Sequence, residues 1–128
     1  MAADIPGLDI IAAPSPNFDD RTQPVTMIVL HYTGMQDGPS AIDRLRDPDA
    51  KVSAHYVVAE DGVTLRLVDE DKRAWHAGKS HWREWDDVND VSIGIEIVNP
   101  GHEFGYRPFP DAQIASVIAL VESIKQRH

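Results

Sequence analysis

The chain has 128 residues, 42% of them hydrophobic, with 21 acidic and 12 basic side chains and a formal net charge of −9. One core is expected at this length, and the negative balance, with no Lys/Arg cluster, argues against nucleic acid or an anionic membrane as partner. There is no cysteine, which excludes disulfides, thiolate metal sites and a cysteine nucleophile, so any metal must be held by His, Asp or Glu.

The start, Met1 to Pro6, lacks the basic and apolar blocks of a secretory signal, and no uncharged apolar run is long enough for a membrane span. These features read as a cytoplasmic protein, or as a periplasmic or cell-envelope one if the N-terminus was trimmed. Residues 1–24 read as an irregular arm because Pro6, Pro14, Pro16 and Pro24 break any period. The domain proper then runs over 25–128. Met27 to Thr33 reads as a buried strand. Ser40-Ala41-Ile42-Asp43 has the form of a capping box opening a short helix that Pro48 stops. Asp61-Gly62 between β-branched runs predicts a hairpin joining strands at 53–60 and 63–69. A short strand is expected near Arg73, a polar loop with Trp82 and Trp85 over 79–90, and a strand over 91–98. A final helix from about Asp111 carries Ile114, Val117, Ile118, Val121 and Ile124 at helical spacing. This order predicts an α/β fold, a mixed central β-sheet flanked by helices.

Two strands end on chemistry. Period-two geometry puts Met27, Val29, His31 and Thr33 on one face of the first strand, and Ser92, Gly94, Glu96 and Val98 on one face of the last. If the strands are neighbours, His31 and Glu96 meet above the small residues Ser92 and Gly94. The pattern leaves two readings open: a water-handling site with a metal ligand and a base, or a core histidine beside a strand-end carboxylate at solvent. His55, mid-strand, reads as a satisfied structural histidine, and His76 as either structural or substrate-facing.

Four segments carry a resemblance. Leu30-His31-Tyr32-Thr33, Val52-Ser53-Ala54-His55-Tyr56, Arg73-Ala74-Trp75-His76-Ala77-Gly78 and Asn89-Asp90-Val91-Ser92-Ile93-Gly94-Ile95-Glu96 occur in the order and spacing of zinc-dependent N-acetylmuramoyl-L-alanine amidases. That family shares the fold of peptidoglycan recognition proteins and phage amidase-type lysozymes. The resemblance implies zinc as cofactor, His31 as first ligand, Glu96 as catalytic carboxylate, and peptidoglycan fragments or muropeptides as substrate. It also implies that Tyr32, Trp75, His76, Arg83 and Asn89 are the candidate substrate contacts, with Asn89 either ordering its loop or touching substrate. Relatives carry the other metal ligands, a His and usually an Asp, beyond the final helix. The resemblance therefore implies a C-terminally incomplete domain, with the remaining ligands beyond His128 and the C-terminal remainder of the same protein as a partner. A non-catalytic muropeptide-binding module is the competing expectation.

Overall fold

The computed structural model describes residues 8–35, 37–77, 86–99 and 108–128. Its elements in chain order are β1 (Ile10–Ala12), β2 (Phe18–Asp20), β3 (Met27–Tyr32), α1 (Gly38–Arg46), β4 (Tyr56–Val58), β5 (Thr64–Arg66), β6 (Lys72–Ala74), α2 (Val88–Val91), β7 (Ser92–Ile97) and α3 (Asp111–Arg127). Five strands form one sheet in the order β1-β5-β4-β7-β3, and β2 pairs antiparallel with β6. Within the sheet β3, β7 and β4 run parallel, β5 is antiparallel to β4, and β1 is parallel to β5. This is the mixed sheet between helices that the element order predicts.

The central strand β7 explains the layering. It is covered on both sides, so its residues alternate between two different interiors rather than between core and water. Ile93 and Ile95 pack with Tyr56, Val58, Leu120 and Ile124 under α3. On the opposite face Val57, Leu67, Ala74 and Val98 pack with Leu45 of α1.

Several local expectations shift. Residues 10–12 and 18–20, expected as irregular chain, are strands. Their prolines broke the pattern, but Ser15 and Asn17 replace it with bonds to backbone carbonyls, Ser15 Oγ to Leu45 O and Asn17 Nδ2 to Asp47 O and Val52 O. The cap of α1 is Asp37, whose carboxylate accepts from the Ser40 amide at 2.8 Å, with Pro39 in the first turn. The hairpin is joined by Glu60-Asp61-Gly62 between paired Ala59 and Val63, with Gly62 at φ +91°. That loop needs glycine, since a Cβ there would lie 2.9 Å from Ala112 O on α3. In α3 the buried stripe is Gln113, Leu120 and Ile124 flanked by Val117 and Val121, whereas Ile114 and Ile118 are exposed. The stripe is rotated because Gln113 Nε2 donates to both Val58 O and Val98 O, tying the helix to the ends of β4 and β7.

Candidate active site

Register builds the site. In the parallel pair of β3 and β7, Met27 lies opposite Ser92, Val29 opposite Gly94 and His31 opposite Glu96. Opposite residues in a parallel pair share a face, so the imidazole and the carboxylate stand side by side on adjacent strands. Both lie toward the carboxyl ends of three parallel strands, the end at which open α/β sheets take ligands. On the other side of β7, Val57 of β4 is opposite Glu96.

Gly94 makes room for a third group. A Cβ at that position would fall 2.3 to 2.7 Å from atoms of the His76 ring, so the ring lies on bare backbone. His76 Nδ1 is 3.1 Å from His31 Nε2, and His76 Nε2 is 2.9 Å from Ser92 Oγ. The protons in this chain can be assigned. Ser92 donates its hydroxyl proton to Val88 O at 2.6 Å, so it accepts from His76 Nε2–H. That leaves Nδ1 of His76 as the acceptor, and His31 donates to it through Nε2–H. His31 therefore keeps the Nδ1 lone pair free. The assignment requires neutral rings, and burial supplies that condition. It lowers the His31 pKa below its ordinary value, and with repulsion from His55 and His31 it takes His76 down to about 3.

His55 is structural, as its mid-strand position predicts. It is fully buried; its Nδ1 accepts from the Gly94 amide at 3.0 Å and its Nε2 lies 2.8 Å from Lys72 O. Burial lowers its pKa to about 4. Beside it Arg21 spreads its guanidinium over the carbonyls of Glu70, Lys72, Asp90 and Ser92 at 2.8 to 3.2 Å. This arginine pins the N-terminal arm, the segment before β6 and the start of β7 beneath the histidines.

Glu96 stands apart chemically. Its Oε2 is shut off from solvent and has no hydrogen-bond partner among the described residues, and burial raises its pKa to about 7. A cavity of about 370 Å³ opens over it, with Thr33, Arg44, Leu45, Trp75 and His76 among its walls. His31 meets this cavity through His76 rather than lining it. An unpartnered carboxylate that changes protonation near neutrality, next to a neutral imidazole and an open cavity, can take up and release a proton.

The remaining candidates divide. Trp75 lines the cavity. Asn89 is buried and its Oδ1 accepts from the amides of His76 and Ala77 at 3.1 and 2.8 Å, so it orders the His76 loop. Tyr32 is placed apart: strand alternation sends it to the face opposite His31, where it is 54% exposed and does not line the cavity. Arg83, with Trp82 and Trp85, lies outside the described residues. Sequence reasoning missed Arg21, Arg44 and the role of the Ser92 hydroxyl. Only Ser92 left a signal, as a small polar residue on the face of Glu96.

Residues 21–128 match the N-acetylmuramoyl-L-alanine amidase family. AmiD of Escherichia coli K12, an N-acetylmuramoyl-L-alanine amidase, is 37% identical over 116 residues, covering 81% of this chain and 41% of that protein. AmpD of Haemophilus influenzae, a 1,6-anhydro-N-acetylmuramyl-L-alanine amidase, is 31% identical over 133 residues, covering 89% of this chain and 70% of that one. The chain thus spans less than half the length of AmiD. Among solved structures, a selenomethionine derivative of AmpD superposes with a TM-score of 0.78 at 28% identity over 100% of this chain and 80% of that one. Escherichia coli AmiD in complex with anhydro-N-acetylmuramic acid-L-Ala-D-γ-Glu-L-Lys gives 0.69 at 35% identity, covering 90% and 46%. The sequence match includes the strand that ends on His31, the Asn89 that orders the His76 loop and the strand that carries Glu96, and the chain belongs to the N-acetylmuramoyl-L-alanine amidase family.

Proposed function

We propose that the protein hydrolyses the amide between the lactyl group of N-acetylmuramic acid and the L-alanine of a peptidoglycan stem peptide or muropeptide. The observation that carries this reading is the pairing of His31 with Glu96 on adjacent parallel strands, with Glu96 Oε2 buried and unpartnered beside a cavity. The anhydromuramyl peptide bound in the AmiD complex supports the substrate class.

In this mechanism Glu96 moves the proton. Its carboxylate takes a proton from the water whose oxygen bonds to the lactyl carbonyl carbon. As the carbon–nitrogen bond breaks, the same group passes that proton to the alanine nitrogen, which leaves as an amine. His76 keeps His31 in one tautomer, Asn89 keeps His76 in place, and the Trp75 indole offers a flat wall for a sugar or peptide face.

Zinc belongs to the same proposal. The donor set suits part of such a site: His31 is neutral with its Nδ1 lone pair uncommitted, and an orphaned carboxylate oxygen stands on the neighbouring strand. A catalytic zinc takes three protein ligands, and no group of three His, Cys, Asp or Glu is found among the described residues. We therefore assign His31 as one ligand of the metal, with the rest of the set lying outside the described residues. Bound there, zinc would acidify a water and polarise the carbonyl. Action on muropeptides, as in recycling, is part of this reading and is supported by the AmpD relatives, named as 1,6-anhydro-N-acetylmuramyl-L-alanine amidases; no described helix is long and apolar enough to cross a membrane.

The test is mass spectrometry of a muropeptide incubated with the zinc-loaded whole protein, which should release a peptide with a free L-alanine amino terminus. His31→Ala should lose the metal. A zinc-loaded protein that binds the muropeptide and releases nothing would make this a binding module instead.

A further inference from the structure

Ser92 opens β7 directly after α2, and its fully buried hydroxyl touches two groups. Its Oγ is 2.6 Å from Val88 O, four residues back, and 2.9 Å from His76 Nε2. Short hydroxyl side chains on a helix bond back to the carbonyl four residues earlier in this way. A carbonyl only accepts, so the hydroxyl proton goes to Val88 and the serine oxygen faces His76 with its lone pairs. Among the described residues the ring nitrogens of His76 bond only to Ser92 and His31.

Two neutral imidazoles joined by one hydrogen bond can hold their protons in two ways. In the first, His31 donates through Nε2–H, His76 carries its proton on Nε2, and His31 Nδ1 is a bare lone pair. In the second, His76 donates through Nδ1–H to His31 Nε2, and His31 must carry its proton on Nδ1. The same bond between the rings is made in both, so selection comes from the far end of the chain. The first arrangement gives His76 Nε2–H the serine oxygen as acceptor. The second either sets a lone pair of His76 against those of Ser92 or turns the serine hydroxyl away from Val88 O. Losing one such buried hydrogen bond lowers the population of that arrangement by about tenfold. Gly94 keeps the three groups in line, because only bare backbone lets the His76 ring lie where it does.

We propose that Ser92 is a positioning residue: its hydroxyl, anchored on Val88, fixes the direction of the hydrogen-bond chain from His31 through His76 and so keeps His31 Nδ1 unprotonated. A metal takes the lone pair of a neutral imidazole, and which nitrogen offers it is set by the hydrogen bond the other nitrogen makes. The consequence for zinc rests on the reading of His31 as a ligand, whereas the direction of the chain does not.

The experiment reads each ring's tautomer by long-range nitrogen–proton correlation NMR on isotope-labelled histidine, in the metal-free chain at mildly alkaline pH. Wild type should show His31 and His76 both protonated on Nε2. Ser92→Ala puts a methyl where the acceptor was, so the chain should reverse and both rings should carry their protons on Nδ1. Ser92→Thr keeps the hydroxyl and should keep the wild-type tautomers. In zinc-binding titrations of the whole protein, Ser92→Ala should bind the metal about tenfold to a hundredfold more weakly. Wild-type His31 protonated on Nδ1 would overturn the proposal without any variant. So would Ser92→Ala with a lower melting temperature and wild-type tautomers, the outcome for a merely structural hydrogen bond. Reversed tautomers with zinc affinity unchanged would uphold the role of Ser92 and remove His31 from the metal site.

Discussion

Two largely buried glutamates show how differently this fold treats the same side chain. Glu70 lies beside the C-terminal end of α3, where Arg127, the Tyr56 hydroxyl and His128 all bond to its carboxylate. Burial alone would raise its pKa, but those three partners override it and bring the group down to about 2. Glu96 is buried in the sheet with no partner for Oε2, and there burial acts unopposed, raising the pKa to about 7. Desolvation disfavours the charge in both places, and the supply of donors decides the outcome. The satisfied carboxylate fastens a helix, and the orphaned one is left free for chemistry.

Substitution should separate the two roles. The largest effect is expected for Glu96→Gln in zinc-loaded whole protein: turnover should fall by about a hundredfold or more, with zinc content and melting temperature not lowered. Normal turnover in that variant would remove Glu96 from the mechanism. Glu70→Gln should do the reverse, costing about 2 kcal/mol of stability in denaturant titrations, a value reduced because Arg127 is a third exposed. Activity per folded molecule should be unaffected. Tyr56→Phe deletes one donor to Glu70 and should cost about 1 kcal/mol.

The pH dependence sharpens the contrast further, measured by denaturant unfolding in chelator so that no metal intervenes. Glu70 has a folded pKa depressed to about 2 against an ordinary 4.5. The stability it contributes is complete above about pH 4.5 and fades as pH falls toward 2, so wild type and Glu70→Gln should converge in acid. Glu96 has a folded pKa raised to about 7. Its folded state binds the extra proton between pH 4.5 and 7, so its contribution falls as pH rises through that window. Glu96→Gln should therefore gain on wild type from pH 4.5 to 7 and hold a constant difference above that. Comparing variant with wild type matters because His55 and His76, with folded pKa values of about 4 and 3, push stability upward with pH below 6.5. A difference curve that is flat for both glutamates would mean that the two environments are not distinct.

The sequence by itself determined the features that depend on local periodicity and turn chemistry. Alternation in two apolar segments grouped His31 with Met27 and Val29 and Glu96 with Ser92 and Gly94, and the parallel register of the two strands then brought the two faces together. A Gly after Asp located the hairpin, and proline located the end of α1. What only the tertiary structure decided is which polar groups meet. Arg21 reaches carbonyls 49 to 71 residues away, and nothing in its neighbourhood along the chain foretells that. Ser40 had the spacing of a cap, yet Asp37 does the capping because the helix begins three residues earlier than the Ser-x-x-Asp pattern implied. Ile114 and Ile118 fit the helical stripe but lie outside it, since Gln113 is drawn inward by two strand-end carbonyls. Tyr32 belonged to a motif with His31, but adjacent residues of a strand face opposite ways, and the fold sends the two side chains to opposite faces of the sheet. Periodicity fixes a direction for each side chain, whereas hydrogen-bond partners are set by through-space neighbours that only the assembled sheet and helices bring together.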